Sequence, residues 1–168
     1  MKNLIVQLRV VFALVLREAR VRHGRARIGY LWAIIEPVML IVILTILFSQ
    51  FRDNSTANGG FALFFATGVL AFQSFRNTSQ YVSGSFEQNK PLFNYPMVKP
   101  MDAAYARLVL DSATHIFIIF LVISFQIIVL DAPAPTNIPR MALAIALMLS
   151  MAFGAGVTLA VLRRFSPA

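Results

Sequence analysis

Apolar residues fall into long runs separated by short polar stretches, a pattern of neither half-buried strands nor soluble one-sided helices. Residues 28–48, IGYLWAIIEPVMLIVILTILF, make a helix of about 31 Å, enough for a hydrocarbon layer of about 30 Å. Residues 61–75 are apolar up to Arg76, so a second span at about 61–80 needs its helix to continue into polar residues. A third run, 108–130 within a span at about 105–130, holds Asp111 and His115 near its start and no charge beyond them, and a fourth, about 141–162, holds none. The stretches 51–60, 76–107 and 131–140 between them are rich in the Gly, Pro, Asn and Ser that end helices. An all-α membrane protein with four transmembrane helices, folded as one domain over 1–168, is the predicted class.

Before the first run, at 100° per residue, Leu4, Leu8, Val11, Phe12, Val15 and Ala19 share one face, with Lys2, Arg9 and Arg20 opposite. This predicts an N-terminal amphipathic interface helix within residues 1–27, its apolar side in lipid and its basic side toward anionic headgroups. A solvated basic anchor is the other reading. A signal peptide fits poorly: Arg9 interrupts the apolar stretch, no small-x-small cleavage site follows, and the basic cluster lies after the apolar residues.

Composition agrees with lipid rather than water. Hydrophobic residues make up 58% of the 168, charged ones 13%, and the net charge is +8, with mean hydropathy +0.73. A basic excess among 15 Phe and long aliphatic runs is not that of a nucleic-acid binder, so no nucleic-acid partner is expected. The absence of cysteine excludes disulfides, thiolate metal sites and a cysteine nucleophile. With four spans, 13 of the 15 Lys and Arg fall on the side of the N-terminus and only Arg52 and Arg140 on the other. The positive-inside rule therefore predicts a multi-pass protein with both ends in the cytoplasm.

Two segments carry a family resemblance. In RHGRARIGYLWAIIEP, residues 22–37, a basic stretch leads through Gly29, Leu31 and Trp32 into the first span, followed by Glu36 and Pro37. In NKPLFNYPMVKPMDAAYAR, residues 89–107, Leu92, Phe93, Asn94 and Tyr95 are followed by Val98, Lys99, Pro100 and Asp102. Together they resemble the ABC-2 type permease family, in particular the inner-membrane permease subunits of capsular polysaccharide exporters, over about residues 13–168. The resemblance implies a permease subunit driven by a separate ABC ATPase, a second permease copy, and a polysaccharide or lipid-linked glycan as substrate, in the cell inner membrane. Such permeases have six spans, so it also implies a C-terminally truncated, partial permease domain. A fragment, a truncated product and a complementing second chain are the three explanations.

No G-x-x-x-x-G-K-[ST] occurs, so the phosphate-cradling loop of an ATPase is missing and ATP is expected on the partner. The resemblance assigns coupling to the connection at 86–102, where Pro91, Pro96 and Pro100 would stiffen the backbone while Phe93, Tyr95 and Met97 project as anchors. An ordinary Pro-punctuated loop is the plainer account. Glu36 lies about 12 Å into the first run, where a lone carboxylate is costly unless protonated, paired or facing water. Either it faces a polar conduit beside a Pro37 kink, or Pro37 begins the helix and Glu36 is its N-terminal acid at the surface.

Arg107, Asp111 and His115 recur every fourth residue on one face of the third span, as a structural polar network or, less simply, a proton relay. Gly154 and Gly156 suggest close helix packing but are two apart rather than four. Tyr30, Trp32, Phe64, Phe65, Phe72 and Phe75 could offer stacking faces to a sugar chain, or simply face lipid and the interface. No paired carboxylates, H-E-x-x-H or nucleophile with a base are present, so an enzyme is the least favoured class. A non-transporting structural or assembly protein remains the alternative to a permease.

Overall fold

Helix α3 (Gly60–Ser83) packs against α2 (Arg27–Ser49), α5 (Pro100–Val129) and α6 (Ile138–Phe165), while α1 (Lys2–His23) packs mainly against α5. The computed structural model describes residues 2–23, 27–49, 60–95, 98–129 and 131–165, all helix or short connections with no strand among them. Between α3 and α5 lie the short α4 (Ser85–Gln88) and a 3-10 turn (Lys90–Asn94). Thr78 meets Asp111 and Ala62 meets Gln126, so α3 and α5 form an antiparallel hairpin. Ser79 meets Ala152 and Val82 meets Gly156, so α3 and α6 run parallel.

The burial pattern is inverted relative to a soluble bundle. The interior holds small and polar side chains such as Ala66, Ala104, Ala152, Ser74, Thr78 and Asp111, while Ile46, Phe72, Phe120, Ile128, Leu147 and Met151 stand exposed. Water would drive such a surface to associate, whereas lipid has no such preference and leaves close contact between small residues to hold helices together. Pro100–Val129 and Ile138–Arg163 are long and apolar enough to cross a bilayer, and Ile35–Leu47 is a shorter apolar stretch. One apolar cluster, Ile41, Ala66, Leu70, Ile118 and Val122, joins α2, α3 and α5.

Close packing of α6 on α3 comes from a spacing that the glycine pair obscures. Ala152, Gly156 and Ala160 recur every fourth residue and are all buried, a small-residue stripe on one face. A Cβ at Gly156 would lie 2.7 Å from Val82 Cβ and 2.9 Å from the Ser79 carbonyl oxygen. Gly154 has nothing within 4 Å of its would-be Cβ, so close approach belongs to Gly156 alone of the two. Along the same interface Ser79 donates to the Ala152 carbonyl at 3.1 Å. At its far end α5 stops where Asp131 takes φ 48°, a left-handed turn that aspartate tolerates, and Ala132 N–H returns to the Gln126 carbonyl.

Helix α2 passes through Pro37, so Pro37 is interior rather than the first helical residue. Without an N–H it leaves one carbonyl of the preceding turn without its usual partner. Gly29 and Trp32 lie in the first turns of α2, but their side chains, like those of Tyr30 and Leu31, fall outside the described residues.

Candidate functional site

The polar residues of the bundle gather at its basic end, where α3 hands over to the connection and α5 begins. Local sequence explains the geometry. Pro100 is the first residue of α5, where its fixed φ and missing N–H cost nothing. Asp102, two residues on, accepts a hydrogen bond from the Lys99 N–H at 3.0 Å, the half of a capping box in which a side chain reaches back to the helix start. Its charge also suits the positive end of the helix dipole. The Val98-Lys99-Pro100-x-Asp102 pattern is thus, physically, a helix-start signal.

The second Asp102 oxygen accepts from Gln7 Nε2 of α1 at 2.7 Å, and the residue is only 1% exposed. Further along α1, Arg17 donates to Asn89 Oδ1 at 2.7 Å, and Asn89 in turn donates to the Ser85 carbonyl, fixing the turn between α4 and the 3-10 segment. Glu18 pairs with Arg107 at 2.8 Å and accepts from the Tyr81 hydroxyl at 3.0 Å. Arg107 is buried; it donates to the Tyr81 carbonyl and to Gln88 Oε1, and its guanidinium lies 4.7 Å over the Tyr81 ring. One face of α1 therefore fastens the end of α3, the connection and the start of α5 into a single unit. Buried charge is tolerated here because Glu18 and Arg107 are paired and hydrogen-bonded and Asp102 accepts two hydrogen bonds.

One turn deeper, Asp111 accepts from Thr78 of α3 at 2.8 Å and lies 3.2 Å from His115 Nδ1, all three buried. The i, i+4, i+8 face of Arg107, Asp111 and His115 is thus turned inward, with Arg107 reaching α1 and Asp111 reaching α3. Glu36 of α2 meets Arg76 of α3 at 3.4 Å, both side chains nearly half exposed.

The residues assigned to docking divide. Asp102 faces inward, Leu92, Phe93 and Val98 are half-buried, and Asn94, Tyr95, Lys99 and Pro100 are exposed. Pro96 and Met97 lie outside the described residues. Of the aromatics, Phe64 and Phe72 are exposed and Phe65 and Phe75 half-buried, with Phe64 and Phe65 edge to face at 5.7 Å.

Sequence reasoning passed over Glu18, Gln7, Asn89 and Tyr81. A signal existed for Glu18, which is the only acidic residue among the first 35 and sits among arginines. Asn89 and Gln7 gave none, since a surface amide and a buried one look alike in sequence.

No family model matches the chain. It is 32% identical over 162 residues to the polysialic acid transport protein KpsM of Escherichia coli, covering 96% of this chain and 63% of that protein. It is 31% identical over 160 residues to the capsule polysaccharide export inner-membrane protein CtrC of Neisseria meningitidis serogroup A, 95% of this chain and 60% of the other. The chain is thus similar, over most of its own length, to capsule polysaccharide export inner-membrane proteins. The similarity to BexB of Haemophilus influenzae, 30% over 158 residues, is of the same kind and extent. The resemblance carried by residues 22–37 and 89–107 thus holds over nearly the whole chain, which spans about three fifths of the length of these relatives.

Proposed function

We propose that the chain acts as the membrane-spanning permease subunit of an exporter of capsular or related cell-surface polysaccharide, driven by a separate ABC ATPase. The observation that carries this reading is the alignment of 96% of the chain, connection included, with a polysialic acid transport protein. The geometry supports it through the connection. Asn94, Tyr95, Lys99 and Pro100 face outward, while Asn89 and Asp102 tie the same segment to α1 and α5. A push on the exposed side would be passed to α1 and α5 together.

In this reading α2, α3, α5 and α6 are four spans, the basic end lies in the cytoplasm, and ATP is held by the partner. Helix α1 lies in the interface with its Leu8, Phe12 and Leu16 stripe, exposed away from the bundle, toward lipid. Glu36 and Arg76, half exposed, face a polar path shared with a second permease copy.

The test is co-purification and export together. Tyr95→Ala should lower recovery of the ATPase with the permease and lower capsule export, with membrane insertion unchanged. Full export with Tyr95→Ala and with a Phe93→Ala, Tyr95→Ala pair would favour an assembly or anchoring protein instead.

A further inference from the structure

Where α6 reaches the basic end, its last turns face the connection across a groove of about 370 Å³, lined by Phe86, Glu87, Lys90, Phe93, Ala160 and Arg163 among others. Lys90 and Arg163 are both exposed, and neither makes an ion pair among the described residues. Glu87 is the one acid of the lining, so one positive charge is in excess. Most of the remaining wall, Phe86, Phe93 and Ala160, is apolar.

The depth of the groove decides what suits it. Arg163 directly follows the uncharged run 141–162, so with that run across a bilayer its guanidinium falls at the boundary between hydrocarbon and water, where lipid phosphates lie. The same turns of α6 present Leu159, Leu162 and Phe165 outward. The groove thus offers two cations beside an apolar wall. A phospholipid uses both.

We propose that this groove holds the headgroup of an anionic phospholipid, its phosphate between Lys90 and Arg163 and its acyl chains along the outer face of α6. The lipid would bridge α6 and the 3-10 turn that carries Phe93. The inference rests on the membrane placement proposed above but not on export, because lipid retention needs neither ATPase nor glycan.

The probe is phosphatidylglycerol. The protein is reconstituted in phosphatidylcholine vesicles containing a minority of phosphatidylglycerol and extracted in mild detergent, and retained lipid is counted by native mass spectrometry. Wild type should retain phosphatidylglycerol in preference to phosphatidylcholine. Lys90→Ala with Arg163→Ala should weaken that retention about thirtyfold, at about 1 kcal/mol for each cation. Glu87→Gln should strengthen it several-fold by removing the opposing charge. All three positions are exposed, so thermal unfolding should be unchanged and serves as the folding control. Equal retention of the two lipids by wild type, or unchanged phosphatidylglycerol retention by the double variant, would overturn the proposal. Loss of ATPase recovery by the double variant with lipid retention intact would also overturn it, assigning the groove to a protein partner.

Discussion

Glu18 of α1 and Arg107 of α5 form an ion pair at 2.8 Å, with only 12% and 3% of their side chains exposed. The pair fastens α1 to α5 at the end of the bundle where the buried groups are polar, beside the buried Leu14 of α1. Removing one partner strands the other charge, at a cost of up to about 3–5 kcal/mol. Glu18→Ala and Arg107→Ala should each lower the unfolding temperature in detergent. Together they should lose less than the sum of the single effects, by about 0.5–3 kcal/mol. Strict additivity in this double-mutant cycle would mean that the two side chains are neighbours without being partners.

The two glycines of α6 separate local from tertiary effects. Gly156→Ala pushes a methyl against Val82 and against the Ser79 carbonyl, and backbone cannot rotate away as a side chain can. It should destabilise by about 1–3 kcal/mol, the usual cost of overpacking. Gly154→Ala meets nothing and should be neutral or stabilising by up to about 1 kcal/mol, the helix preference of alanine. Thermal melts of both variants check this, and equal destabilisation would contradict the close approach of α6 to α3.

Much of the chain was legible because long apolar runs and breaker-rich connections leave few alternatives. Helices α2, α3, α5 and α6 lie over the runs at 28–48, 61–80, 105–130 and 141–162, with α5 starting earlier, at Pro100, because Asp102 and Lys99 cap it there. The Ala152, Gly156, Ala160 stripe was also readable, but two nearby glycines drew notice from the alanines that complete the spacing. The partners of α1 were not readable. Helical periodicity gives the apolar face of a helix, yet α1 turns Gln7, Leu14 and Glu18 toward the bundle and leaves Leu8 and Phe12 outside. Which face docks depends on polar groups distant in sequence, and periodicity holds no information about them.

Asp102 offers a test of whether α1 is held by the start of α5. Asp102→Ala removes the acceptor for both the Lys99 N–H and Gln7 Nε2. The lost cap should cost about 1–2 kcal/mol and speed tryptic cleavage at Arg9 and Arg17. Gln7→Ala keeps the cap, so it should speed cleavage with a smaller change in unfolding temperature. Slower release by Gln7→Ala than by wild type would show that the α1 contact is not a fastening one.

Glu36 and Arg76 invite the opposite expectation from Glu18 and Arg107. The pair is longer, 3.4 Å, and both side chains are nearly half exposed, so its worth to the fold is on the order of 0–1 kcal/mol. A carboxylate that contributes so little to stability, on a largely apolar helix, is costly to keep unless its charge is used. Glu36→Gln preserves shape and one acceptor while removing the charge. Under the proposed export function, accumulation and unfolding temperature should therefore stay close to wild type while export of the glycan falls. Arg76→Gln should reproduce the effect, because it leaves the carboxylate without its counter-charge. Measuring exported glycan per permease in the membrane separates the outcomes. A fall in accumulation that matches the fall in export would make the pair structural and remove it from the transport path.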